Sequence, residues 1–503
     1  MLCLKRRTTN TPVSWTLVFL CLSLGIGWAQ DSTPGQPDSV SAQKVETPSD
    51  QQTQNAPAPA FGIDTTVATS GENPPVSGLD QPSLEPEGIA RNFLSVGAVV
   101  SQSADSNIAG SLGSSPGVGG DTRAMGNLTL HRIKGRFQTD LQYLGGVVVY
   151  EGVSRDPNQL QEAGFAQRAT WRTGQVVIRD AFTYLPEGNF GAGSYGGSGA
   201  LQSGLAGMGV GAGTGGITQG LASSAGGIFG AGQLASLGQE PRITNSAVVD
   251  LVQSVSPRSS FTLAGSYGLV HFTNDTTGLV DSNQASGQAA YDRTISRSDQ
   301  VALAYAVQEI RFPQNSGSSS LTQSVHFIYG HRVSGRMDFV IGAGPQVTRV
   351  ENPLYGSNTH VSASGNLRLH YRFTRTSMQL EYRHFNNNGS GYFLGASSDL
   401  ATLSASRALS RVWEGRTDIG FAYSKGLGQN SNVTPATSNQ HFFAGAAVHR
   451  HIGRYYRGFI SYQYSRVSFN NTVCVGTDNC GKTSNRQVGA IGLEWYPRPI
   501  RLD

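Results

Sequence analysis

Polar side chains recur in this sequence at every second residue. They include Gln138, Asp140 and Gln142; Arg179; Asp338; Arg368, His370 and Arg372; Glu381 and Arg383; and Glu414, Arg416 and Asp418. A period of two puts each run on one face of an extended strand. Both signs of charge occur along it. Such a set can screen solutes by size and field, as rings of charge do in channels. It can equally pair across strands and solvate an interior. A turn centred between Thr374 and Arg375 would put Arg368 opposite Glu381 and Asn366 opposite Arg383. Cys474 and Cys480 bracket five residues in a loop. In an oxidising compartment that spacing predicts a disulfide. No histidine lies near them in sequence, so no metal site is expected, and no cofactor.

Other candidate chemistry is thinner. Gly211–Gly216 is glycine-rich, but no Gly-Lys-Ser/Thr follows it, as a phosphate-binding loop would require. His271, Asp275 and Asp281 are hydrolase-type residues without a supporting spacing. The stretch His384-Phe-Asn-Asn-Asn-Gly389 resembles the His-x-Ser-Asn-Gly segment of outer-membrane phospholipase A. In that family the serine two residues after the histidine is the nucleophile. Asn386 occupies that position here, and an amide cannot attack an ester. The expectation is therefore that the chain is not an enzyme.

The elements that carry these residues follow from the same alternation. In Val361–Phe373, Val361, Ala363, Leu367, Leu369, Tyr371 and Phe373 share one face, and Ser362, Ser364, Asn366, Arg368, His370 and Arg372 the other. In 413–424, Trp413, Ile419, Phe421 and Tyr423 oppose Glu414, Arg416, Asp418 and Ser424. Segments of this kind run from about residue 92 to 497 and number eighteen, with sixteen or twenty also compatible. Joints after even-numbered segments are short, and joints after odd ones hold about seven residues or more. Unequal rims of this sort, with long alternating strands, predict an all-β, antiparallel transmembrane β-barrel. No apolar run after the first 29 residues reaches the length a membrane helix needs. A mean hydropathy of −0.25 suits a barrel, in which only alternate residues meet lipid. Aromatic residues gather toward segment ends, as interfacial girdles require.

The rest of the chain divides simply. Residues 1–29 read as a signal peptide: Lys5, Arg6 and Arg7 precede an apolar stretch ending in Gly27-Trp28-Ala29. Residues 30–88 are rich in Pro, Gln, Ser and Thr, with Lys44 their sole base, and read as a disordered acidic periplasmic linker. Residues 89–503 form the barrel unit. Within it, 188–241 is rich in Gly, Ala and Ser with scattered apolar residues, and is a candidate constriction or plug. The 37 basic and 33 acidic residues nearly balance, so no bulk charge points to nucleic acid.

Architecturally, residues 92–497 resemble bacterial outer-membrane porins. The resemblance implies an outer-membrane location with the N-terminus periplasmic, and passive or weakly selective diffusion of small polar solutes. It also implies lipid and the barrel-assembly machinery as partners, and a homo-oligomer as one possible state. Porins usually end in an aromatic residue. Here Trp495 and Tyr496 are followed by Pro-Arg-Pro-Ile-Arg-Leu-Asp503. The alternative is a barrel-anchored structural or adhesive protein whose loops bind partners.

Overall fold

The computed structural model describes residues 92–108, 117–152, 158–185, 242–273, 280–296, 298–314, 317–334, 336–353, 356–387, 393–427, 438–470 and 483–502. The expected leader (1–29) and linker (30–88), the 188–241 stretch and the Cys474/Cys480 pair lie outside these residues.

Eighteen long strands follow one another. The first nine are β1 Phe93–Asp105, β2 Gly119–Lys134, β3 Phe137–Glu151, β4 Asn158–Trp171, β5 Gly174–Leu185, β6 Arg242–Ser256, β7 Ser259–Phe272, β8 Ser282–Thr294 and β9 Asp299–Phe312. The second nine are β10 Ser318–Ser334, β11 Met337–Asn352, β12 Gly356–Arg372, β13 Thr376–Asn387, β14 Ala396–Ala408, β15 Trp413–Gly426, β16 Ser438–Ile452, β17 Tyr456–Asn470 and β18 Thr483–Trp495. Each pairs antiparallel with its neighbours in sequence, and β18 pairs with β1, so the sheet closes. A two-residue β19, Ile500–Arg501, resumes the last strand against the foot of β1. Pro497 and Pro499 interrupt it in between, because proline has no N–H for the ladder. The tail after Trp495 thus returns to the wall, where Leu502 N–H donates to the Asn92 carbonyl at 3.1 Å.

The connections alternate much as the sequence predicts. Those after even strands are tight, such as Gly135-Arg136, and Gly135 takes φ +60°, a conformation that favours glycine. Two connections after odd strands fall clearly short of the expected minimum of about seven residues: 313–317 after β9 and 353–355 after β11. The second of these is as short as the connection after β12, 373–375. Gly356, the first residue of β12, takes φ +80°.

The wall is patterned inside out relative to a soluble protein. On β9, Val301, Leu303, Tyr305 and Val307 point outward, and Leu303 is 57% exposed. Between them Ala302 and Ala304 point inward and are buried. The outward face turns polar at both ends of this run. Asp299 receives His331 and Tyr329 at the foot, and Glu309 pairs with Arg311 above. Asp299 and Glu309 lie ten residues apart, about 25 Å in height at a rise of ~3.3 Å per residue and a tilt of ~40°. That matches the apolar band of a membrane barrel. Strand β11, beyond β10, repeats the pattern: Phe339, Ile341, Ala343, Pro345 and Val347 precede the outward pair Arg349–Glu351.

Two aromatic belts bound the band. The lower one includes Phe137, Phe261, Trp413, Tyr456 and Trp495, at strand ends beside the short turns. The upper one includes Tyr143, Tyr267, Tyr305, Tyr382 and Tyr462. These stand midway along their strands rather than at the ends, because the strands continue beyond the band. Their hydroxyls reach outward polar groups just above: Tyr305 to Gln323 at 3.3 Å, Tyr382 to Asp399 at 2.7 Å, and Tyr462 to Gln487 at 3.1 Å.

Asp180 breaks the band. It points outward midway along β5, between the apolar Ile178 and Phe182, and is exposed. Asn245 on β6 donates to it at 3.0 Å. A lipid-facing carboxylate at that depth is destabilising, though less so than a lysine or arginine. Asp180→Leu should therefore keep the barrel and raise its stability by up to about 2 kcal/mol, seen as a higher temperature for loss of the folded gel band. A lower temperature would show that something other than lipid contacts this position.

Candidate functional site

The inner wall gathers the charged residues that the alternation singles out. On β3, Asp140 accepts from Gln138 Nε2 at 3.1 Å and faces His131 Nδ1 at 2.5 Å across the β2–β3 ladder. Arg179 on β5 forms an ion pair with Asp250 on β6, both buried. On β11 and β12, Asp338 and His370 are directly opposed in register, with Nδ1 3.4 Å from Oδ1. The ring's Nε2 lies 3.3 Å from Ser377 Oγ.

The expected register around the β12–β13 turn is the observed one. Arg368 stands opposite Glu381, and Asn366 opposite Arg383. The ion pair of Glu381, however, runs along its own strand to Arg383. Two residues apart on one face, the pair needs no cross-strand reach. Strand β15 repeats this device: Arg416 Nε donates to Glu414 Oε1 at 2.8 Å, with Asp418 buried further along the same face. Arg372 shares the inward phase but is the last residue of β12 and is exposed, so it belongs to the short-turn rim.

Several partners escape the sequence reading. Arg457 on β17 donates to Glu494 on β18 at 2.6 Å, and both side chains are almost wholly removed from solvent (0% and 1% exposed). Both residues fall in the inward phase, so the same counting would have found them. Asp105 pairs with Arg486, tying β1 to β18 across the seam that closes the barrel. Nothing local in sequence joins residues so far apart. Asn386 also turns inward, and donates to Thr348 Oγ1 at 2.7 Å. It breaks the alternation of β13, where pairing with β12 stops at Gly365–His384.

Among the described residues, five histidine–aspartate pairs join neighbouring strands. Besides His131–Asp140 and His370–Asp338 they are His271–Asp281 at 2.6 Å, His331–Asp299 at 2.7 Å and His384–Asp399 at 2.8 Å. The fold thus brings His271 and Asp281 together, while Asp275 lies outside the described residues. Among the described residues no cluster of three or more metal-ligating side chains occurs.

The buried Arg457–Glu494 pair makes a quantitative expectation. Arg457→Met should destabilise the barrel by about 3–5 kcal/mol, because it takes the guanidinium away from a buried carboxylate. The double change Arg457→Met with Glu494→Leu should recover most of that loss, measured by urea unfolding in detergent micelles. A double variant as unstable as the single one would refute this account.

No family profile matches the sequence, and no curated protein matches it. Among solved structures, the chain is similar to OpdQ of Pseudomonas aeruginosa at 9% identity, covering 82% of this chain and 100% of that one, with a TM-score of 0.40. It is similar to OccAB3 of Acinetobacter baumannii at 7% identity, covering 81% and 99%, with a TM-score of 0.38. It is similar to the ferric citrate transporter FecA at 9% identity and a TM-score of 0.39; there the match covers 80% of this chain and 64% of FecA's length. What defines the architecture is the closed ladder of the chain's own strands. By that pairing, and by its apolar outer band and charged inner face, the chain is a closed antiparallel β-barrel of the transmembrane type, with eighteen long strands among the described residues.

Proposed function

We propose that the protein is an outer-membrane channel for passive or weakly selective diffusion of small polar solutes. The observation that carries this reading is the inner wall itself. Eighteen strands enclose a face bearing both signs of charge, largely held in ion pairs. Barrels of sixteen to eighteen strands are wide enough to hold an aqueous channel. Fixed charges of both signs would admit small polar solutes and discriminate weakly between ions.

The orientation belongs to the same proposal. The tight connections, by their length, suit the periplasmic rim, which puts the N-terminus of β1 in the periplasm. The 1–29 leader and 30–88 linker would then serve export and tethering. The 188–241 stretch, which lies between β5 and β6 in sequence, would serve as a constriction or plug. The barrel-assembly machinery would insert the chain, reading Trp495 or Tyr496 in place of a terminal aromatic.

Planar-bilayer recording tests the channel. Purified protein should give discrete conductance steps, and deleting 188–241 should enlarge them. Absence of steps at any voltage from a folded, inserted protein would sink the proposal. Enlarged steps in the deletion would also count against the adhesive alternative, in which that stretch carries binding and leaves conductance alone.

A further inference from the structure

Three side chains meet on the outer face at the upper edge of the apolar band. His384 lies on β13, and Ser397 and Asp399 lie on β14. His384 and Asp399 are directly opposed in register, and Ser397 stands opposite Asn386 one step above. His384 Nδ1 is 2.8 Å from Asp399 Oδ1, and its Nε2 is 3.5 Å from Ser397 Oγ. Tyr382 donates to the same Asp399 oxygen at 2.7 Å, which holds the carboxylate in place. All three groups of the relay are partly exposed on the lipid-facing side. Apolar Leu380 and Leu403 lie below them, and Lys425 stands directly opposite Ser397 on β15.

We propose that Ser397, His384 and Asp399 form an acyl-ester hydrolase site, with Ser397 as nucleophile, His384 as general base and Asp399 as the group that orients it. The substrate class is a long-chain acyl ester held in the membrane, because the site opens where the apolar band meets polar surroundings. That choice of substrate rests on the membrane placement proposed above. A nucleophile, a base in reach of it and a third group fixing the base are what acyl transfer requires. Contacts of this kind are often long before substrate binds, which suits the 3.5 Å separation.

The chemistry balances with water as co-reactant. Ser397 Oγ attacks the ester carbonyl carbon as its proton passes to His384 Nε2. Asp399 accepts the Nδ1 proton in a hydrogen bond and stabilises the imidazolium. The tetrahedral oxyanion then expels the alcohol oxygen, which takes the proton from Nε2 and leaves an acyl-serine. Water attacks that ester, gives its proton to His384, and releases the fatty acid as the proton returns to Ser397. Lys425 supplies positive charge on the Ser397 side of the site, toward which the oxyanion is drawn.

The other histidine–aspartate pairs argue for this one by contrast. Among the described residues, His370 is the other member of the set with a serine at Nε2, Ser377 at 3.3 Å, but its aspartate is 3.4 Å away and the group faces the lumen. It serves as an internal control. The full-length protein in detergent micelles would be treated with an alkyl fluorophosphonate, and assayed on p-nitrophenyl esters of rising chain length and on phosphatidylcholine vesicles. The modification should map to Ser397 by peptide mass spectrometry. Ser397→Ala and His384→Ala should lower hydrolysis at least about 100-fold, whereas Ser377→Ala should not, with folding of each variant read from its heat-sensitive gel band. A folded, conducting barrel with no modification, or hydrolysis that survives Ser397→Ala, overturns the site and leaves the channel standing. Modification of Ser397 in a protein that does not insert into liposomes supports the site and overturns the membrane reading instead.

Discussion

Closure of the backbone ladder is the constraint on which everything else depends. A membrane interior offers no water to satisfy a free N–H or C=O, so a sheet can cross it only without edges. Here the requirement is met where β18 meets β1, with Ala98 opposite Trp495 and Asp105 opposite Val488. The Asp105–Arg486 ion pair sits on that seam, and the short β19 extends the seam downward past two prolines. Once the ladder is closed, each strand has one face toward lipid and one toward the lumen, and the alternation of residue types acquires its meaning.

The inner face then carries a problem of its own. Charges packed along a narrow wall lose hydration, and each needs a partner. The chain meets this mostly by proximity. Arg416 and Glu414, or Arg383 and Glu381, are two residues apart on one strand, so the pair survives any shift of the neighbouring strand. Cross-strand pairs such as Arg457–Glu494 depend on register and in turn hold it, because a one-residue slip would send one partner to the lipid face. The histidine–aspartate pairs near the turns do the same work at several hairpins.

Much of this was legible in advance for a physical reason. A period of two is written in the sequence itself, so strand positions and phase could be counted, and the Arg368–Glu381 register followed from the centre of one turn. Strand ends were harder to place. Above the apolar band both faces meet water, and nothing in composition marks where a strand stops. That is why the connections after β9 and β11 are shorter than expected and the upper tyrosines sit midway along their strands. The contact of Ser397 with His384 was not legible for a related reason: the two residues stand on different strands, and only the β13–β14 register brings Oγ to 3.5 Å from the ring.

The sequence by itself determined the fold class, the inward phase of residues such as Asp140, Arg179 and Glu414, and the tight connections after even-numbered strands. These are local properties, set by steric periodicity and by which residues tolerate a turn. Only the tertiary structure decided the partners. Asp105 with Arg486, Arg179 with Asp250, and Ser397 with His384 and Asp399 meet because strands lie side by side at one register. That register depends on the whole ring closing on itself, which no single segment encodes.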